Sequence, residues 1–511
     1  MNGSFETVER DVPSAAAVPI TGYRVPFQRS AVFSLLAIHA ALVAYSALRC
    51  SPTLNEPAHL VAGISHWEFG RFDAYRVNPP LVRMIAALPV LAVGYEAEWD
   101  GFYNGPGIRP EFRLHNSFVA MNGDRIFWLT TIARWACLPF SVIGGLVCFL
   151  WARDLFGPLA GLLASGCWCF SPTILAHASL ITPDAHGAAL GLAAGYAFWN
   201  WLRSPTWARA VFGGVLLGLA ALAKTTLAVF FPLWPLLWIA YRWSNGDGLN
   251  KRDCLREGGG MAVSLLIALN VLNLGYGFEE SFTKLGDFDF VSEQFAGGDG
   301  KIKRENIIRN RFAGTILGGL PVPVPANYLR GIDIQLNDFE GKKSYLLGEF
   351  SEHGWWYYYL VAVVVKEPLG TWLAAVIALA GRGIGMRTAV VWRDDLVVLI
   401  PAVAVFALVS SQTKHCEHMR YVLPAFPFAF VWTSRAAVRL RSGRAFWGVI
   451  TASAFVWSAA SSLTAYPQCL GYFNELAGGP RGGHAYLIHS NIDWGQDLLN
   501  LKSWMKDHRE A

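Results

Sequence analysis

The sequence predicts an all-α polytopic membrane protein with about eleven transmembrane helices. Two observations in its composition carry that prediction. The 511 residues are 53% hydrophobic and only 15% charged, whereas a soluble domain is nearer a quarter charged. Apolar runs of about 17–25 residues, the length a helix needs to cross the hydrocarbon core, recur along the chain. A third observation, the placement of Lys and Arg between those runs, orients the chain.

With Gly, Pro and charge as punctuation, the runs fall near 31–49, 127–151, 159–176, 184–202, 209–222, 225–241, 260–277, 356–380, 395–411, 421–434 and 446–464. The mostly polar residues before the first run are longer than a usual signal n-region, so 31–49 reads as a retained span behind a cytoplasmic tail, 1–30. With that tail inside, short inner loops carry fourteen Lys and Arg: Arg153, Arg203, Arg209, Arg242, Lys251, Arg252, Arg256, Arg382, Arg387, Arg393, Arg435, Arg439, Arg441 and Arg444. Short outer loops carry three: Lys224, Lys414 and Arg420. The net charge of +5 therefore reports orientation rather than affinity for nucleic acid.

This places three long segments outside: 50–126 and 278–355 within a membrane domain of 31–464, and a tail of 465–511. Long polar loops on one face suit an enzyme or receptor working there. A carrier keeps loops short and sets its polar groups mid-membrane. No dinucleotide-binding or P-loop pattern is present. Cys137, Cys148, Cys167 and Cys169 fall inside apolar runs and read as small hydrophobes. Cys50, Cys416 and Cys469 lie near outer ends and allow a disulfide without specifying one.

In the first outer loop, His59, Gly63, His66 and Gly70 share a helical face, with Leu60, Ile64 and Trp67 about a quarter-turn away. That pattern suits a helix lying in the interface, with His59 and His66 as packing residues. Glu56 has two compatible readings. It is the acid–base carboxylate of a site, or it closes the capping box Thr53-x-x-Glu56. At Thr182-Pro183-Asp184, either Thr182 or Asp184 caps a helix, or Asp184 close to Glu56 gives a carboxylate pair or a cation site. Lys224 and Lys366 interrupt apolar sequence, where a cation faces a cavity or has a partner; Glu367 is the adjacent partner for Lys366. Arg83, in the first turn after Pro79-Pro80, and Arg420 at a membrane edge are candidate phosphate clamps, because a guanidinium binds phosphate oxygens bidentately. His415, Cys416 and His418 fit no standard metal spacing. In the second long loop the pointed features are Glu349 and Trp355-Trp356, as parts of an acceptor-binding surface.

An outer-face enzyme has no cytosolic nucleotide sugar. A polyprenyl-phosphate-linked sugar arriving within the bilayer fits the cations, with a carboxylate deprotonating an acceptor hydroxyl. The competing readings are a transporter or flippase of a lipid-linked sugar, and a non-catalytic sugar-lipid binder.

The order of pieces resembles glycosyltransferase superfamily C (GT-C), near the family-39 protein mannosyltransferase-like and aminoarabinose-transferase-like bacterial enzymes. The pieces are Asn55-Glu56 after the first span, Arg71-Phe72, Asn78-Pro79-Pro80-Leu81, Thr182-Pro183-Asp184, the GLAALAKTT run around Lys224, Arg420-Tyr421-Val422-Leu423-Pro424, Tyr472-Phe473-Asn474-Glu475-Leu476, and Asn491-Ile492-Asp493-Trp494-Gly495-Gln496-Asp497. The resemblance implies a GT-C fold, an inverting mechanism, a lipid-phosphate sugar donor and a carboxylate base in the first outer loop. It also implies a multi-pass protein of the inner (plasma) membrane, acting on a protein, lipid or polysaccharide of the cell envelope. Two departures stand out: Asn55 occupies the first acidic position of the family's Asp-Glu pair, and Asn78 stands where the family has His. The base role then falls to Glu56 or to Asp184, with Asn78, Arg83, Lys224, Lys366, Arg420, Tyr421 and Glu349 as substrate-binding candidates. Relatives differ in needing a divalent cation, so no firm cofactor is implied and a divalent cation is left open.

Overall fold

The computed structural model describes residues 25–99, 102–243, 251–297, 309–340, 342–383, 392–412, 416–441 and 445–508. Of the expectations above, the tail up to residue 24, Arg387, Lys414, His415 and Arg444 lie outside these. The architecture is helical, with one short antiparallel hairpin. In chain order the helices are α1 (Val25–Arg49), α2 (Glu56–Phe69), α3 (Leu81–Val93), α4 (Glu111–Asn122), α5 (Arg125–Phe156), α6 (Pro158–Phe170), α7 (Pro172–Ala178), α8 (Pro183–Arg203), α9 (Trp207–Ala223), α10 (Phe230–Trp243) and α11 (Lys251–Leu274). After the short α12 (Glu293–Ala296) come α13 (Ala326–Asp338), strands β1 (Ser344–Leu346) and β2 (Glu349–Ser351), α14 (Tyr358–Lys366), α15 (Leu369–Gly383), α16 (Trp392–Ser410), α17 (Phe426–Thr433), α18 (Ala445–Thr464), α19 (Gly479–Gly482) and α20 (Leu498–Asp507).

Every apolar run of the sequence is helical, yet several are not single straight rods. Among the described residues four helices are long and apolar enough to cross a membrane: α1, α5, α11 and α18. Counting two bent pairs as one span each raises this to six, so straight helices alone do not reproduce eleven crossings. The run at 159–176 is α6 and α7, bent by 59° where Ser171 caps α7 by accepting the Ile174 N–H, with Pro172 following. The run at 356–380 is α14 and α15, bent by 108° at Glu367-Pro368, where Pro cannot continue the hydrogen-bond ladder. The run at 421–434 begins as a 3-10 segment, Met419–Ala425, before α17. Phe33, Val376, Val403, Val449 and Val456 stand outward on these helices, the apolar surface that lipid covers in a polytopic membrane protein.

The site-bearing elements are tied together by close backbone approaches. A Cβ at Gly63 would collide with the Arg83 carbonyl, so glycine lets α2 lie directly on α3. Gly214 and Gly218 do the same for α9 against α11, where a side chain would meet the Ser264 and Ala268 carbonyls. Residues 465–508 are not a separate tail. Ser51 N–H donates to the Gln496 carbonyl and Leu54 N–H to the Trp494 carbonyl, while Asn474 Nδ2 donates to the Val364 and Glu367 carbonyls.

Replacing Gly63 by Val forces α2 off α3. The expected cost is about 1–3 kcal/mol, read as a lower melting midpoint in detergent; an unchanged midpoint would refute the close approach.

Candidate functional site

A cavity of about 1,100 Å³ opens where the ends of α1, α9 and α16 meet the starts of α2, α5 and α8. Its wall includes Asn55, His59, Asn78, Arg109, Asp184, Lys224, Asp338, Arg420 and Tyr421, together with His489, Ser490, Asp493, Trp494 and Gly495. Apolar side chains (Phe112, Val119, Ile126, Phe127, Leu336, Leu408) line other parts of it. Charged and apolar side chains thus share the wall.

The charged part is built from three elements. Asp184 sits in the first turn of α8, where the helix dipole favours a carboxylate. Lys224 terminates α9 in an extended conformation, which turns its side chain across to α8. Its Nζ donates to Asp184 Oδ1 at 2.5 Å and to the Arg420 carbonyl at 3.2 Å. Arg420 Nε lies 3.7 Å from Asp184 Oδ2. The guanidinium also donates from Nη1 to Ser490 Oγ at 2.9 Å and lies 3.8 Å over the Trp494 ring. Two cations thus share one carboxylate, leaving local positive charge for an anion. Beyond Arg420, Ser490 Oγ is 2.6 Å from His418 Nδ1, and Glu417 lies 3.3 Å from His418 Nε2 and 3.2 Å from His489 Nε2.

Glu56 is not on this wall. It is fully buried, with both carboxylate oxygens consumed. Arg134 donates to Oε1 from Nε at 2.8 Å and to Oε2 from Nη2 at 2.5 Å. Oε2 also accepts the Thr53 N–H at 2.8 Å and the Thr53 hydroxyl at 3.0 Å, and Oε1 accepts the Ile181 N–H at 3.1 Å. These contacts include half of the capping box, the Thr53 N–H on the Glu56 carboxylate, although α2 itself starts at Glu56 with Asn55 as its N-cap; Arg134 also donates to the carbonyls of Ala47, Cys50 and Ser51. Glu56 and Asp184 form no carboxylate pair, because Glu56 turns into the protein while Asp184 faces the cavity.

Three further candidates lie off the cavity. Arg83 is buried under it, donating to the carbonyls of Tyr75 (2.6 Å) and Asn78, with its guanidinium 4.8 Å over the Tyr75 ring. It holds the Asn78 loop rather than a phosphate. Lys366 donates to the Leu470 and Asn491 carbonyls, both at 2.7 Å, while Glu367 turns the other way and accepts from Ser171 Oγ. Glu349 is exposed on the hairpin and Trp356 is exposed beside it; neither lines the cavity. From the second long loop it is α13 that reaches the rim, with Ile332, Gln335, Leu336 and Asp338.

Asn55, Asn78, Asp184, Lys224, Arg420 and Tyr421 do converge on the cavity. Two residues not singled out by the sequence also meet there, Arg109, ion-paired with Glu111 and Asp338, and Tyr75, together with His59, read from the sequence as a packing residue, and Trp494, named there only within a motif. Burial pushes the Glu111 carboxyl above its ordinary value despite Arg109. Burial, then the Arg83 charge, pushes His59 well below its ordinary value and His66 down to about 3. Among the described residues no group of three His, Cys, Asp or Glu side chains is arranged to hold a metal ion.

Comparison with known proteins comes to the same fold. Residues 127–251 match the family model described as dolichyl-phosphate-mannose-protein mannosyltransferase. ArnT from Cupriavidus metallidurans, solved with undecaprenyl phosphate, superposes with TM-score 0.50 at 14% identity over 93% of this chain and 79% of that one. The Saccharomyces cerevisiae Pmt1-Pmt2 O-mannosyltransferase complex, solved with its sugar donor, gives 0.55 at 11% identity over 86% and 90%. Comparison with curated proteins by sequence gives no match. The chain has the GT-C fold of a polytopic membrane protein.

Removing one partner of the Glu56–Arg134 pair leaves the other charge buried and unpaired, which costs about 3–5 kcal/mol. Glu56→Gln and Arg134→Met should each lower folded yield in detergent, measured by size-exclusion chromatography. Normal yield with abolished turnover in Glu56→Gln would instead return Glu56 to the chemistry.

Proposed function

We propose that the chain is a membrane glycosyltransferase. It moves a sugar from a polyprenyl-phosphate-linked donor to an acceptor hydroxyl at the outer face of the membrane, with inversion at the sugar's anomeric carbon. The observation that carries this reading is the Asp184–Lys224–Arg420 cluster in the wall of a cavity that apolar side chains also line. A lipid phosphate presents that combination of a compact anion and a hydrocarbon tail. The mannosyltransferase family match and the GT-C fold support the reading, as does a neighbour in that fold solved with undecaprenyl phosphate.

In this mechanism Lys224 Nζ and the Arg420 guanidinium take the phosphate oxygens, and Asp184 holds both cations in place. The acceptor oxygen attacks the anomeric carbon opposite the phosphate. The bond from that carbon to the phosphate oxygen breaks, and its electron pair stays on the lipid phosphate. A single displacement of this kind inverts the centre. Prepositioned cations stabilise the charge developing on the leaving phosphate, commonly the largest single contribution in such a site. Asn55, Asn78 and Tyr421 lie where the sugar would rest, and the α13 rim is placed to meet the acceptor, whether protein, lipid or polysaccharide. The outer-face reading is supported by the cation count of the loops: Lys224 and Arg420, which line the cavity, belong to the cation-poor set of short loops.

Losing a charged hydrogen bond to phosphate costs about 1.5–3 kcal/mol, or roughly 10–100-fold in affinity. Lys224→Met and Arg420→Met should each weaken undecaprenyl phosphate binding by that factor in detergent titrations. Wild-type affinity in both would remove the phosphate from this part of the cavity.

A further inference from the structure

Glycosyl transfer needs a group to take the acceptor's proton, and the carboxylates at the cavity are each engaged. Asp184 is held by Lys224 and Arg420. Asp338 pairs with Arg109, and Glu417 lies against His418 and His489. Asp493 is exposed at the rim, where it accepts the Gly495 N–H. Glu56 has no atom on the wall.

His59 stands one helical turn beyond Asn55 on α2 and lines the same wall. Its ring is buried and stacked on Tyr75 with centroids 4.5 Å apart, which fixes its plane. Among the described residues neither of its ring nitrogens has a hydrogen-bond partner. Of the other buried histidines, His39 meets the Cys169 carbonyl and Ser141 Oγ, His66 the Arg71 carbonyl, and His186 the Leu180 carbonyl, while His177 leaves Nδ1 unpaired but does not line this cavity. His59 is an oriented imidazole with its polar edge unspent, beside an amide that cannot accept a proton.

Building on the glycosyl-transfer reading, we propose that His59 is the general base of this protein. Its neutral ring nitrogen accepts the hydroxyl proton as the acceptor oxygen bonds to the anomeric carbon. The bond to the donor phosphate breaks, and its electron pair leaves on the lipid phosphate held by Lys224 and Arg420. The imidazolium then gives its proton to water. The charged and titratable groups around His59 are Arg83 from α3, Asp184 from α8, Arg109 and Tyr75 from the first long loop, and Arg420. Burial, then Arg83, keeps the ring neutral at pH 7, and the negative charge of a bound donor raises its basicity again.

The test uses the full chain with His59→Gln, and with His59→Gln combined with Asn55→Asp. Undecaprenyl phosphate is the binding probe, and a radiolabelled polyprenyl-phosphate sugar pool from the host membranes is the turnover probe. His59→Gln should bind the lipid as wild type does, with unchanged KM, and lose about 10²–10⁴-fold in kcat. The wild-type rate should fall as pH drops through the imidazole pKa of the donor complex. The double variant should regain turnover with that fall moved to lower pH, since a carboxylate ionises below an imidazole. A wild-type kcat in His59→Gln, a kcat loss that only follows lost lipid affinity, or no recovery in the double variant would overturn His59 alone. Failure of the wild-type chain to bind or turn over the lipids would sink the glycosyl-transfer reading itself.

Discussion

The buried ion pair of Glu56 and Arg134 is the constraint on which the site depends. Taking two charges out of water is unfavourable, and their mutual attraction offsets that only if the remaining donors and acceptors are filled. Here they are filled. The carboxylate takes hydrogen bonds from Arg134, Thr53 and the Ile181 N–H, and the guanidinium reaches three carbonyls as well. Together these bonds join four pieces of chain: the end of α1, the start of α2, α5, and the turn leading into α8. The pair therefore sets the distance between the Asn55–His59 face and Asp184 without touching either.

The phosphate cluster follows a different logic. Lys224 and Arg420 would repel one another without Asp184 between them, and Asp184 would be costly to bury without them. Arg420 is further held by Trp494 and Ser490, so its fork is aimed before any ligand arrives. A planar guanidinium fixed in this way loses little freedom on binding, which a lysine on a flexible stem cannot match.

Much of the fold was legible because bilayer thickness imposes a length and loop cations impose a direction. The bends were not read, although their signals stand in the sequence: Ser171-Pro172 is a helix start and Glu367-Pro368 a helix stop, each placed inside a run read as one span. The site was legible only in part. Lys224 was found because a cation in apolar sequence needs a reason, and the same rule applied to Arg134 would have marked it as needing a partner without naming Glu56. What spacing cannot reveal is which distant groups meet. Asp184 finds a lysine 40 residues away, and that lysine reaches an arginine carbonyl 196 residues further along. Lys366 was rightly marked as needing a partner, but its partners are backbone carbonyls, which leave no trace in composition. Glu349 and Trp356 drew notice as polar and aromatic features of a long loop, and the hairpin simply leaves them in solvent.

The segment at 489–495 closes one side of the cavity and is joined to Ser51 across 444 residues of chain. It leaves the ribosome only after every bundle helix through α18 has been made. The earlier helices can be inserted and packed while that wall is still missing, with the cations of the hollow exposed on one flank. Completion of the site is thus deferred until after the bundle helices have been made, and a nascent chain stalled in the translocon would hold Lys224 without the Trp494 and Ser490 supports of Arg420. Insertion into the bilayer and competence for chemistry are separated in time by the order of the sequence itself.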